Sequence, residues 1–466
     1  MKSILSLLDH GGRSLLLATL CATLHVSAIA APANATDDID ALMRQAAEDD
    51  ARNAATLAAP APKPANGLRG FAQFELARTI SDPAHWSKMR TRVEFGNGGK
   101  SDLGFKWKWN LRAAYDHVFD ATNFYPTDVR RDQRASLDFG ETYIDKSLGN
   151  WDLRIGRQHV IWGEMIGMFI ADVVSARELR EFILPDFNTL RIPQWAARAE
   201  YFKDDFHGEL LWVPLPSYDK VGKPGADYFP YQPEMPGVAT SYRNEITPAR
   251  KLGNGNYGFR GGVLKNGWDL AGFFYRSMDV APTFARQVIL APQPELIYQA
   301  RHDRISQAGG SLTKDFGDFV LKSEAVYTRG RQQTVLRSTE PTGLVPQDTV
   351  DWAVSLDIPF ESETRLNLQA FQTATLNRDP DIIPKKFESG YSVLVNSKLT
   401  PKIEGEILWA ASLDRNDWML RPKLNWSFER NWRFVVGADV FYGPPTGYFG
   451  RYGDKDRVYT ELRYSY

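Results

Sequence analysis

Segments of about ten residues, in which apolar and polar side chains alternate, follow one another along almost the whole chain. The last of them ends the chain. In residues 456–466, Val458, Thr460, Leu462, Tyr464 and Tyr466 fall on one face of an extended strand, and Tyr459, Glu461, Arg463 and Ser465 on the other. Phe105, Trp107, Trp109, Leu111, Ala113 and Tyr115 alternate in the same way with Lys106, Lys108, Asn110, Arg112 and Asp116. So do Val350, Trp352, Val354, Leu356 and Ile358 with Asp351, Ala353, Ser355 and Asp357. Ile403 to Ala411 and Trp432 to Val440 repeat the pattern. A period of two over lengths near ten, with aromatics at the segment ends and a terminal aromatic, predicts strands that are apolar outside and polar inside.

Such strands cross a bilayer only as a closed barrel, because an open sheet edge leaves unpaired backbone in hydrocarbon. A helical membrane protein would show runs of roughly 20 apolar residues, and the chain beyond its first 30 residues has none. The polar average agrees with a barrel, since only half of each strand need be apolar. With 56 Lys and Arg against 57 Asp and Glu, no nucleic-acid partner is expected.

The first 30 residues read as a secretion signal. Lys2 and Arg13 make a basic start, residues 15–29 an apolar stretch, and Ala28-Ile29-Ala30 a small-x-small cleavage site. The single cysteine, Cys21, lies inside it, so the mature chain is expected to hold no disulfide and no thiolate metal site. Residues 31–67 read either as a disordered stub or as a short periplasmic helix, starting near Thr36, followed by a Pro/Ala linker that suits a periplasmic partner. Residues 68–466 form the expected barrel domain.

Within it, connections alternate between short and long. Short ones are expected at 96–100, 148–150, 203–205, 265–267, 315–318, 360–362, 400–402 and 429–431, and long ones near 117–133, 159–193, 214–255, 279–303, 329–348, 376–388 and 443–456. In outer-membrane barrels the periplasmic turns are short and the outer loops long. The fold class is therefore all-β: a transmembrane antiparallel β-barrel of about 18 strands. Its lumen would be wider than wall side chains alone fill.

One long connection, 159–193, is too apolar to float in water, and it is expected to fold into the barrel as a constriction or else to pack against its neighbours as a hydrophobic outer loop. Within it, 175–184 reads as a short helix, with Ser175 as cap and Glu178 three residues on. The run LRIGRQHVIWGE, followed by DVVSARELREFILPDF and RIPQWAARAEYF, resembles a large proteobacterial group of outer-membrane barrels catalogued as a domain of unknown function. It is more weakly similar to alginate-export-type barrels, which share a strand ending in Gly-Arg-Gln. The resemblance implies an outer-membrane, porin-like channel for small organic or hydrophobic solutes. Arg157 and Glu164 fall inside this run, as an inward pair bracing the loop or as solute contacts.

The polar strand faces supply the other lumen-lining candidates: Lys106, Lys108, Arg112, Arg154, Arg198, Glu200, Arg260, Arg421, Lys423 and Arg433. Against the cations stand acids including Glu209, Glu324, Asp351, Asp357, Glu404, Glu406, Asp439 and Glu461. This mixture fits neutralising ion pairs or a mild preference for anions. A structural sheath around a periplasmic export or electron-transfer partner is the alternative. An outer-membrane hydrolase is a third reading, but no Gly-x-Ser-x-Gly elbow is present and enzymatic activity is not expected. No metal-ligand spacing is seen and no cofactor is expected. The expected surroundings are outer-membrane lipid and lipopolysaccharide, with the barrel-assembly machinery reading Tyr464 and Tyr466.

Overall fold

The computed structural model describes residues 67–466 apart from 231 and 362. The signal, the helix and nearly all of the linker expected over 1–67, with Cys21, lie outside the described residues. The wall comprises strands β1 Arg69–Thr79, β2 Trp86–Lys100, β3 Lys106–Asp116, β4 (Ala135–Phe139, continued as Thr142–Leu148), β5 Trp151–Gln158 and β6 Gln194–Lys203. It continues through β7 Phe206–Leu215, β8 Asn256–Lys265, β9 Trp268–Met278, β10 Arg304–Asp315, β11 Val320–Thr334 and β12 Leu344–Phe360. The last third is β13 Thr364–Leu376, β14 Phe387–Thr400, β15 Ile403–Ser412, β16 Trp418–Glu429, β17 Trp432–Tyr442 and β18 Arg457–Ser465.

Each strand pairs antiparallel with the next, and β18 pairs with β1 in a register that sets Gln73 opposite Arg463, closing a barrel of 18 strands. Gly70 and Tyr466 exchange backbone hydrogen bonds at 3.1 and 3.0 Å, so the last residue helps to seal the ring. Closure removes the edge that would otherwise expose backbone.

The alternation read from the sequence sorts the two faces. Leu137, Ile155, Leu210, Ile407, Val458 and Leu462 are exposed on the outside, while Asp357, Asp439 and Arg457 are buried within. Aromatic pairs mark both ends of the apolar band. Trp151 packs with Tyr201, and Trp432 with Tyr464, at the short-turn end, while Trp418 stacks on Tyr442 at the other. This is the girdle arrangement of a bilayer-spanning barrel. Among the described residues no helix is long and apolar enough to cross a membrane.

The loop rhythm differs from expectation in three places. The turn expected at 96–100 is strand, because Gly96 and Gly98 pair with Asn110 and Lys108, and the reversal comes at 101–105. Two connections at the long-loop end, 80–85 and 413–417, are themselves short. The helix expected over 175–184 does not form. Ser175 Oγ bonds Asp172 at 2.9 Å instead of capping, and the backbone N–H groups of Arg177, Glu178 and Leu179 donate to Asp219, Leu190 and Lys220. Sideways pairing replaces the helical ladder there.

Candidate functional site

The 159–193 segment enters the lumen and ties itself to opposite walls. On one side Glu324 of β11 accepts hydrogen bonds from three backbone N–H groups: that of Glu164, that of Met165 at 3.0 Å and that of Ala171 at 2.7 Å. Trp162 donates its indole N–H to Glu209 of β7 at 3.1 Å. Gln369 of β13 donates to the Ile166 carbonyl at 2.7 Å. Val160, Trp162, Ala171, Val173 and Val174 pack on Leu211, Val213, Phe273, Tyr275 and Val326, forming an apolar core inside the barrel.

On the far side Glu181 meets Lys88 and Arg90 of β2, the latter at 2.7 Å, and Arg457 of β18 at 3.4 Å. Burial alone would raise the Glu181 carboxyl, but Arg90, Lys88 and Arg457 override it and hold it well below the usual carboxylate range. Phe182 and Leu184 pack on Met419, Phe441 and Tyr452. Arg421 of β16 donates to the carbonyls of Ile183, at 3.3 Å, and Leu184. Strands β2 and β11 are nine apart in a ring of 18, so the segment crosses the full width of the lumen.

Most sequence-predicted residues meet partners of opposite charge. Lys108 pairs with Glu141 at 2.6 Å, Arg112 with Glu94 at 2.7 Å, Arg154 with Asp145 at 2.7 Å and Arg198 with Glu200 at 2.5 Å. Arg421 pairs with Asp439 at 2.8 Å and Lys423 with Glu406 at 2.9 Å. Arg433 lies 3.9 Å from Asp186 of the inward segment. Lys106 is exposed near the 101–105 turn, away from the segment.

The expected Arg157–Glu164 pair is not formed. Glu164 turns to Thr313 at 2.5 Å and to Arg260 at 3.9 Å. Arg157 sits after Gly156, whose φ of +134° only glycine adopts readily, and a Cβ there would lie 2.4 Å from the Thr142 carbonyl oxygen. Arg157 lies opposite Thr142 within the wall, on the side of Asp138 rather than Glu164. Lys88, Arg90, Glu75 and Glu181 were not picked out from the sequence. The available signal was charge at every second position of β2 from Lys88 to Glu94, with Glu75 on one face of β1.

The match to a family model decides the kinship. The chain belongs to the family described as protein of unknown function DUF1302, whose model matches residues 16–379. No curated protein matches it by sequence. Among solved structures, Acinetobacter baumannii OccAB1 is similar with a TM-score of 0.53 at 8% identity, over 86% of this chain and 96% of that one. A. baumannii OccAB2 is similar with a TM-score of 0.49 at 12% identity, over 86% and 97%. At such identity the OccAB1 likeness is one of fold, that of an outer-membrane porin barrel.

Proposed function

We propose that this chain is an outer-membrane channel of a Gram-negative bacterium, passing small organic or hydrophobic solutes through a lumen narrowed by residues 159–193. The observation that carries the reading is the crossing of the lumen by one segment fixed at Glu324 on one wall and at Lys88, Arg90 and Arg421 on the other. A wall-anchored segment in a barrel of this width leaves a side-chain-lined passage, and charged linings set which ions and solutes pass. The apolar outer band and its aromatic girdles suit a lipid bilayer carrying lipopolysaccharide in its outer leaflet. Tyr464 and Tyr466, on the strand that closes the ring, are the proposed contact for the barrel-assembly machinery. Mixed charge on the lumen wall, largely neutralised in pairs, favours a passage for small solutes over a polyanion exporter.

Single-channel recording of the refolded protein in a planar bilayer tests this. Discrete conductance steps, enlarged when 163–190 are deleted, are expected. A folded barrel without conductance would instead favour a sheath that hosts a periplasmic partner through residues 31–67.

A further inference from the structure

The wall is not sealed everywhere. The upper part of β4, Ala135–Phe139, pairs on one edge with β3, from Tyr115 opposite Ala135 to Leu111 opposite Phe139. Among the described residues no strand pairs with its other edge. β5 pairs with β4 only as far as Arg157 opposite Thr142, and with β6 as far as Gln158 opposite Gln194. Beyond Gln158 the chain leaves the wall, and Val160 and Trp162 are buried in the lumen. The inward segment is thus built from the length of chain that would have filled the wall beside 135–139. Five extended residues leave about 17 Å of strand edge without a strand partner, bridged at Asp138 by Lys220 at 3.3 Å.

A cavity of about 280 Å³ lies against this unpaired edge, lined by Ser136, Asp138 and Phe139. Its lining includes Arg112, which faces the lumen, and Phe139, which is 57% exposed on the outer face beside Leu137 at 70%. A second cavity, of about 420 Å³, shares Arg157, Arg180 and Lys220 with the first and reaches the outward-facing Trp195 and Leu215. Nine Lys and Arg residues against six Asp and Glu line the smaller cavity. Among the described residues Arg157 has no ion-pair partner: Asp138, the acid nearest in effect, is bonded by Lys220 at 3.3 Å. Buried polar atoms without a hydrogen-bond partner in the protein gather here: Arg157 Nε, His159 Nδ1, Gln133 Nε2 and Thr142 Oγ1. Buried donors left unpaired are costly, and their clustering around a cavity points to a ligand.

We propose that this gap is a side portal through which an amphipathic carboxylate passes between lumen and lipid, its head on the Arg157 guanidinium and its alkyl chain along Leu137, Phe139 and Trp195. An unpaired guanidinium offers two parallel N–H groups to a carboxylate. The apolar rim continues into the lipid-facing band, so the tail need never enter water. Burial pushes the His159 imidazole down, leaving a neutral ring beside the head rather than a competing cation. The portal rests on the proposed membrane location but not on ion conduction.

The test uses the whole barrel in phosphatidylcholine nanodiscs, with dodecanoate and butanoate as calorimetric ligands. Dodecanoate is expected to bind the native protein more tightly than butanoate. Arg157→Ala is expected to weaken dodecanoate binding about tenfold or more, and Phe139→Ser to weaken dodecanoate more than butanoate. Unchanged dodecanoate affinity in both variants overturns the portal. So does an equal loss for the two ligands, which assigns Arg157 to a purely aqueous anion site. A barrel that binds dodecanoate through Arg157 yet conducts no ions supports the portal and overturns the channel.

Discussion

Glu324 accepts the backbone N–H of Ala171 at 2.7 Å across 153 positions of sequence. The same carboxylate also holds the N–H groups of Glu164 and Met165, so one wall side chain fixes both limbs of the 164–171 bend. A buried carboxylate bonded to three amides stabilises the bend only while all three bonds persist.

Glu324→Ala is therefore expected to free that bend. Three amides lose their acceptor inside the barrel, a local cost of about 3 kcal/mol or more. The barrel itself stays closed, because its strand ladder does not involve this side chain. Larger and noisier single-channel currents are expected, with faster amide exchange at 164–171. Currents identical to the native protein's would remove Glu324 as the anchor.

Asp219 makes the neighbouring latch pH-dependent. It accepts the Arg177 N–H at 2.7 Å, and burial pushes its carboxyl up to about 6 from an ordinary 3.8. A folded-state value above the unfolded one gives stability that is fully present below about 3.8 and lost as pH rises through about 6. Amide exchange at Arg177 and Lys220 is expected to quicken between pH 5 and 7.5, beyond the intrinsic chemical trend. Asp219→Asn, which keeps an acceptor but cannot ionise, is expected to abolish the excess. A variant with the native pH profile would show that another group controls the latch.

The barrel was legible because period-two alternation has one meaning over ten residues when repeated so often, and short turns separate the repeats. What misled were local signals whose partners lie elsewhere. Gly96-Asn-Gly-Gly99 has turn composition, yet its backbone is taken up by β3. Ser175 and Glu178 have capping-box spacing, yet Asp172 claims the Ser175 hydroxyl and Arg180 the Glu178 carboxylate at 2.6 Å. The inward loop was readable from its apolarity, whereas its anchors were not. Glu324 could be placed on the lumen face, but nothing near it in sequence says that its carboxylate meets backbone 160 residues away. Arg157 was singled out by its Gly-Arg-Gln setting, which says nothing of Asp138, the acid on its side of the wall.

Gly156 itself is expected to tolerate no side chain. At φ +134° an alanine is strained, and its Cβ would lie 2.4 Å from the Thr142 oxygen and 2.6 Å from Tyr143 Cα, both backbone atoms of the paired strand. Gly156→Ala is expected to cost roughly 2 kcal/mol or more. It should lower the temperature at which the folded barrel loses its fast gel mobility. Gly149→Ala makes a fair control, since φ there is +61° and nothing lies within 4 Å of its Cβ. Equal losses at the two sites would show that backbone conformation alone, and not contact with β4, sets the cost.

Glu181 gives the opposite pH behaviour to Asp219, on the other wall. Burial raises it, but Arg90, Lys88 and Arg457 pull it far lower, so its contribution is present above an ordinary 4.5 and lost only as pH falls well below that. From pH 7.5 to 5 the 181–184 anchor is expected to stay intact while the Arg177–Asp219 latch changes, and segment-resolved amide exchange separates the two. Glu181→Gln keeps the volume and removes the charge, leaving Lys88, Arg90 and Arg457 with one acid fewer inside the lumen. Breaking such a buried cluster costs about 3–5 kcal/mol. The current through Glu181→Gln is expected to shift toward anions, because the released cations face the passage. A reversal potential equal to the native one would mean that Glu75, already in contact with Lys88 and Arg90, neutralises them alone.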